Sequence, residues 1–376
     1  MVLVAQYRYL LASLTTGQVF AELDLVDVSA ERSLVCGGFG AKLYLGNLTQ
    51  PIRSQLIDQT TPGRCSVVIL RDNLCLGEWI IWKRTRKNDV SPVELTGAEF
   101  ISYIDHRLNG PFSFRQIEQL DIAKTLFLQA VGGDTGVGGR GKVAATVAPY
   151  TASGRKRDRD YIIAESNYGT RLRELSDVID GFDYYVQPSV VTQSGILYVS
   201  RQLVFGYPRA GNDLDLVLDS AGSSDVAGNV LEFALAEDAT TLASNSWAIG
   251  GTYQQAGNTI QVRGQKVDNT LMDSYGYPFL QNSRSYTSVI QQSTIDGHAL
   301  SLLQLSQTSE IPGSISVVLG GSTSMSSFNL GDRFTIAADP SVNFPDGQDI
   351  DVRVLGWTLK PPASGPELVE LQIVSE

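Results

Sequence analysis

The sequence predicts a mainly β protein with an α/β portion (α+β), in the order barrel-like start, α/β middle, barrel-like end. Three observations predict it. Gly is high (36) while charged residues are only 18%, a folded and turn-rich composition rather than a disordered one. Apolar residues alternate with polar ones in short runs near both ends of the chain. Helical spacing is confined to the middle and to one late segment. At 376 residues the chain holds two or three cores. The expected divisions are 1–108, a β-barrel; 109–204, an α/β insert; and 205–376, a second β-barrel with one helix.

The opening reads as a hairpin. "YRYLLASL" and "VFAELDLVDV" flank the turn "TTGQ", and Val19, Ala21, Leu23 and Leu25 alternate with Phe20, Glu22 and Asp24. "GFGAKLYLG", "RCSVVILRDN", "LCLGEWIIWKRTR" and "SPVELTGAEF" follow as strands between turns, a spacing that suggests a closed or nearly closed barrel. "GAEFISYIDHRL" and "SFRQIEQLDIAKTLFLQAV" then carry helical periodicity, with Ile117, Leu120, Lys124 and Phe127 on one stripe. A helix is expected within "SNYGTRLRELSDVIDG", capped by Ser166 or Asn167 and ended by Gly181. A hairpin turning near Gln193-Ser194-Gly195 comes next. From Asn229 strands return, interrupted by a helix in "DGHALSLLQLSQ" capped by Asp296. "GSISVVLGG", "DRFTIAAD", "QDIDVRVLGWTLK" and "LVELQIVS" close the chain as strands. No tandem repeat of fixed short period is present.

The candidate chemistry is thin. "DTGVGGRGKVAATV" places Gly136, Gly141 and Lys142 in the spacing of a phosphate-cradling loop. The segment before it is helical, Val143 stands where Ser or Thr would hold Mg²⁺, and no helix start follows, so it reads as a surface loop. The two histidines, His106 and His298, have no Cys or second His at metal spacing. Asp213, Asp215 and Asp219 in "DLDLVLD" are a candidate cation loop, but lack the Gly and closing Glu of a calcium loop. They read as a solvated edge where like charges discourage pairing. Trp79, Trp82, Trp247, Trp357 and Tyr184-Tyr185 sit in strand-like runs, which points to packing ahead of a sugar platform. Cys36, Cys65 and Cys75 read as small core hydrophobes made in a reducing cytoplasm. Neither catalytic residues, metal ligands nor cofactor-binding residues are assigned, and no enzyme activity or cofactor is expected.

The net charge of −11 argues against general nucleic-acid binding, and the basic islands "WKRTRK" and "GRKRDRD" read as solvated loop charge. "MVLVAQYRYLLASL" lacks the basic start of a leader, and no run of 18 apolar residues occurs.

The order of segments resembles the minor tail proteins of long-tailed phages that infect actinobacteria. "YRYLLASLTTGQVFAELDLVDVSAERSL", "GGFGAKLYL", "TTPGRCSVVILRDN", "GEWIIWKRTR", "VELTGAEFISYIDHR", "LRELSDVIDGFDYYVQPS" and "LVFGYPRAG" carry it, over about the first 210 residues. More distantly such proteins are similar to the trimeric baseplate hub of contractile tails and to the type VI secretion spike. The resemblance implies a virion tail-tip hub assembled in the host cytoplasm, a homotrimer in which each chain gives two tube-forming barrels around a DNA lumen. Its implied partners are the distal tail protein, the tape measure protein and other minor tail proteins, with DNA passing unbound and the bacterial envelope reached indirectly. A six-fold distal tail ring protein and a host-glycan-binding tail module are the alternative readings. Residues 332–376 hold eight acids, Asp332, Asp339, Asp346, Asp349, Asp351, Glu367, Glu370 and Glu376, against Arg333, Arg353 and Lys360. Some of these acids are expected to line the lumen.

Overall fold

The computed structural model describes residues 5–133, 140–178, 180–219, 229–235, 239–287, 289–307, 312–320, 323–362 and 364–375. Strand is the dominant element. The first set is β1 (Tyr7–Ser13), β2 (Val19–Leu23), β3 (Leu25–Ser33), β4 (Gly38–Leu43), helix α1 (Gln50–Gln59), β5 (Cys65–Arg71), β6 (Leu74–Thr85) and β7 (Val93–Glu99). β3 and β4 show the alternation read from the sequence, with Val28 and Ala30, then Phe39, Ala41 and Leu43, facing inward. The β5–β6 turn is Asp72-Asn73, both with positive φ, as a two-residue hairpin of right-handed twist requires. The ladders run β3–β4–β7–β6–β5–β1–β2. β2 and β3 are one run of chain broken only at Asp24, so the path returns to its start.

A 3-10 helix, Phe100–His106, leads into the middle region. There follow β8 (Phe112–Glu118), α2 (Gln119–Val131), β9 (Thr146–Val147), β10 (Lys156–Tyr161), α3 (Tyr168–Ser176), β11 (Asp183–Gln193) and β12 (Ile196–Gly206). β8 pairs β10, while β11, β12 and β9 form a second small sheet. The expected helix over "SFRQIEQLDIAKTLFLQAV" is half strand. Phe112–Glu118 pairs with β10, and Ile117 is exposed there instead of joining a helical stripe. Glu118 caps α2 by accepting from Leu120 N. Leu120, Ile122, Ala123, Leu126 and Phe127 are buried with Leu172 and Leu175 of α3. Asn167, one of the two expected caps, accepts from Thr170 N at 2.7 Å. The β11–β12 turn falls at Ser194-Gly195, both with positive φ, as expected.

The last region holds β13 (Asp213–Asp219), β14 (Val230–Leu235), β15 (Asn245–Gln255), β16 (Asn258–Val267), α4 (Thr270–Tyr275), β17 (Gln281–Tyr286), α5 (Gln292–Leu305), β18 (Pro312–Leu319), β19 (Arg333–Ala338), β20 (Gln348–Leu359) and β21 (Glu367–Ser375). Two helices stand where the sequence suggested one. α5 starts at Gln292, so Asp296 is not its cap. The Asp296 carboxylate instead accepts from Gln292 Nε2 at 2.9 Å inside the helix. β16, β15 and β17 form their own sheet, and α5 packs on it through Ala248, Val262, Ile295 and Ala299. The remaining ladders run β14–β18–β21–β20–β19–β13, with β13 parallel to β19.

Five strands of each set match rung by rung, β3 to β7 with β14 and β18 to β21, whereas the flanking β1 is antiparallel to β5 and β13 is parallel to β19. Leu25 pairs Leu43 in the first and Val230 pairs Val317 in the second. Leu43 then pairs Val93, and Val317 pairs Val369. Arg84 pairs Leu95, and Trp357 pairs Leu371. Both long strands carry a register irregularity at the same rung, between Ile81 and Lys83 in β6 and between Val354 and Gly356 in β20. The chain is therefore an internal repeat of one strand plan, with different insertions: residues 239–307 lie between β14 and β18, where the first set has a tight turn between β3 and β4. The end of β20 pairs β3, which joins both sets into one 13-stranded sheet. One buried cluster runs through both, including Val67 and Ile69 from β5 and their matches Phe334 and Ile336 from β19.

Candidate functional site

Residues 134–139 of the glycine-rich loop lie outside the described residues, and the described residues on either side lack the flanks of a phosphate site. Gly136 lies outside the described residues. Lys142 is exposed, α2 precedes the loop, and the segment after it leads to the two-residue β9 instead of a helix. The histidines are apart. His106 is exposed, its ring 4.2 Å from that of Trp82. His298 is buried and stacks on Tyr286 at 3.9 Å and 15°. Asp213, Asp215 and Asp219 lie on β13, all exposed, and Asp213 pairs with Arg333 at 3.0 Å. Among the described residues no group of three His, Cys, Asp or Glu side chains is placed to hold a metal, and no helix is long and apolar enough to cross a membrane. The three cysteines are free, and burial pushes each thiol up to about 12.

The aromatics pack rather than present a platform. Trp79 is fully buried, stacked on Phe39 and edge-on to Trp357, and its indole donates to Glu31 O at 2.7 Å. Trp357 and Tyr184 are buried too. Trp82 is half-buried and donates to Ser102 Oγ at 2.8 Å. Trp247 is half-buried on the face of β15 opposite α5. The late acids divide. Asp332 is buried and accepts from Asn212 N and Asn329 N, so it holds a loop and cannot face a lumen. Glu367 accepts two bonds from Arg71 at 2.6 and 2.8 Å, joining β21 to β5. Asp346, Asp349, Asp351 and Glu370 are exposed.

What the structure concentrates at its junctions is buried charge, which the sequence reading did not single out. Arg201 of β12 and Glu78 of β6 are both fully buried and bonded at 2.7–3.0 Å. Arg201 also donates to Leu14 O and Ala144 O, lies over the Phe100 ring, and Ser66 Oγ bonds Glu78. Arg32 of β3 donates to Val186 O and Gln187 Oε1 of β11 and to Leu76 O. Its Nε lies 3.5 Å from Glu99, whose carboxyl burial pushes upward against Arg32 and the Ser33 and Gly37 N–H groups. Arg353 of β20 bonds Asp183 of β11. The middle region is thus bonded to both strand sets through arginines whose five donors suit several acceptors at once.

The loop after β12, "GYPRAG", seats on 329–332. Gly211 has φ +92, and a Cβ there would meet Gly331 C at 1.9 Å. Gly211→Ala is expected to destabilise the fold by about 2–4 kcal/mol, through a forbidden backbone region and a clash that neither chain can relieve. Thermal melting checks it. A cleft of about 690 Å³ opens between α3, α5 and β20, with Arg173, Arg209 and Arg353 in its wall. Each is held by a carboxylate, Asp105 or Asp183, so the cleft offers no free charge for an anion.

His298 marks the unit around α5 as acid-sensitive. Burial first, then Arg159, Arg157 and Arg284, pull it down to about 3 from its ordinary 6.5, and its Nδ1 has no partner among the described residues. Between these values the unfolded chain binds a proton that the fold excludes. Stability is therefore expected to fall as pH drops below about 6.5, by at most about 1.4 kcal/mol per unit. His298→Phe, which keeps the stack on Tyr286, should flatten that slope in denaturant titrations at pH 4–7.

No protein-family model matches the chain, and no curated protein matches its sequence. Solved structures do match. A tail protein from Neisseria meningitidis MC58 shares 12% identity at a TM-score of 0.59, over 98% of this chain and 96% of that one. The 43 kDa tail protein of prophage MuSo2 from Shewanella oneidensis shares 10% at 0.59, over 98% of each. The Francisella PdpA-VgrG complex, half-lidded, shares 10% at 0.56, over all of this chain and 58% of that one. Over nearly its whole length, then, this chain has the fold of phage tail proteins.

Proposed function

We propose that the chain is a structural subunit of a phage tail tip, a hub or minor tail protein whose copies close a ring around the DNA channel. The observation that carries it is the internal repeat on a tail-protein fold. In this reading each strand set closes as a small barrel, the first within 1–108 and the second within 205–376, with 109–204 as the α/β insert between them; the ladder path of the first set, which comes back to the run of chain it starts from, supports it. Two barrels per chain make a three-copy ring six-fold in barrels, which adapts a six-fold tube to a three-fold tip. This favours three copies over the six of a distal tail ring. An obligate ring buries thousands of Å² and is apolar at its centre.

The chain is a scaffold without catalysis or cofactor in this reading, in a phage infecting actinobacteria as the sequence resemblance implies. Distal tail protein, tape measure protein and other minor tail proteins are its neighbours, and the envelope is met through them. Asp349, Asp351 and Glu370, exposed on β20 and β21, suit a wall past which DNA slides, since acids release no counterions to a polyanion. Antibody to this chain should label purified virions at the end of the tail. Label on the capsid, or none on the particle, contradicts the proposal.

A further inference from the structure

We propose that the α1 connection of one copy docks on the β19–β20 loop of the next, repeating between chains a contact that each chain makes once within itself. The inference rests on the ring reading above and names its contact. In the repeat β4 matches β18 and β5 matches β19, so the connection 44–64, which holds α1, matches the connection 320–332. The two differ in how they are covered. In the second connection Met325, Phe328 and Leu330 are all buried. They share a cluster with Leu76 of β6, and they face Leu74 and Leu76 across a cavity of about 290 Å³. The second connection is thus covered by the β5–β6 end of the first set. The first connection carries Tyr44, Leu45, Leu48, Ile52, Leu56 and Ile57, and every one is half-buried or exposed. Leu45 and Leu56 rest against the core, whereas Tyr44 and Ile52 are 55% and 45% exposed. A ten-residue helix without a buried face is marginal in water by itself.

The repeat says what covers it. A connection set on a strand turn is a contact between unlike surfaces, and such head-to-tail contacts close rings when they recur. Within one chain the contact joins the second connection to the first turn, so the first connection and the second turn are its two open ends. That second turn, the β19–β20 loop, is built for the part. It spans 339–347, nine residues where the first set has only Asp72-Asn73. It carries Pro340, Val342, Phe344 and Pro345, and Val342 is 97% exposed. Ser341 N donates to Phe344 O at 2.8 Å and Phe344 packs on Phe233, which fixes the loop with Val342 outward. Charge agrees with the pairing. Residues 44–64 hold Arg53 and Arg64 against Asp58, while 339–347 hold Asp339 and Asp346 and no base. Exposed apolar side chains on both surfaces supply the contact, and opposite charge selects which surface meets which.

The test uses the full chain with cysteines at the two exposed apolar positions. The three native thiols are held up at about 12 by burial and compete poorly for a maleimide. Ile52→Cys and Val342→Cys chains, each first shown to melt like the parent, are mixed at about 1 mM, a concentration at which even weak contacts are populated, and treated with a short bis-maleimide. The expected product is a covalent dimer of unlike chains. It should form faster than the product of Ile52→Cys with Val90→Cys, a position 94% exposed on the β6–β7 loop that measures chance collision. The Ile52→Cys/Val342→Cys double variant should give a ladder ending in a closed ring. Ile52→Asp, which sets a further acid against the acidic loop, should weaken association at least about tenfold by light scattering. Multimers whose Ile52–Val342 crosslink forms no faster than the Val90 control overturn this contact while leaving the ring. Chains that remain monomeric at that concentration overturn the contact as well, and virion labelling decides separately whether the tail role survives.

Discussion

Arg201→Met is expected to lower the unfolding free energy by about 3–5 kcal/mol, because it strands the Glu78 carboxylate in a site from which water is excluded. Glu78 and Arg201 have no exposed side-chain surface at all. Without the guanidinium, Glu78 keeps only Ser66 Oγ among the described side chains. It must then take up a proton or carry an unpaired charge in an apolar setting. The carbonyls of Leu14 and Ala144 lose the Arg201 donor in the same step, while that of Ser13 keeps Gly17 N. The pair ties β6 to β12, so the damage should appear as loosening of the middle region from the first strand set. Equilibrium denaturation of Arg201→Met, Glu78→Gln and the double variant checks it. The double variant should cost clearly less than the sum, since it removes both charges together. Additive costs would mean that the two groups do not act as a pair.

Trp79→Ala is the second large effect, at about 3–5 kcal/mol. Trp79 is fully buried where the two repeats meet, touching Phe39 of the first and Trp357 of the second. Its removal leaves a cavity and an orphaned Glu31 carbonyl on β3, the strand that β20 pairs. Trp79→Phe keeps much of the volume but loses the donor, and should cost about half as much. Urea unfolding followed by far-UV circular dichroism measures both. A Trp79→Ala protein as stable as the parent would place the junction's stability elsewhere.

Much of the strand content was legible because half-buried strands write period-2 patterns. The β11–β12 turn announced itself through residues that tolerate positive φ, Ser194-Gly195, whereas Asp72-Asn73 was read as the end of a strand-like run. The middle misled where a strand runs straight into a helix. Phe112–Glu118 and Gln119–Val131 are continuous, and Ile117 falls by chance at helical spacing from Leu120. α1 was missed because none of its residues is buried, so no apolar stripe marks it. The repeat was invisible as sequence because matched rungs preserve little beyond apolar character, and not always that: Leu43 matches Val317 and Val67 matches Phe334, but Arg84 matches Trp357. Insertions of different length further hide it, and only the shared ladder order and the shared irregularity reveal it. The buried arginines were illegible for another reason. Arg32, Arg201 and Arg353 lie in strands like any surface base, and only long-range pairing with Glu99, Glu78 and Asp183 sets them apart.

A reconstruction of the assembled tail tip tests the central claim most directly. The account predicts three copies of this chain around the channel, six barrels alternating between first and second repeats. A particle in which this chain lies outside the ring, or contributes a single barrel per copy to it, would contradict the account.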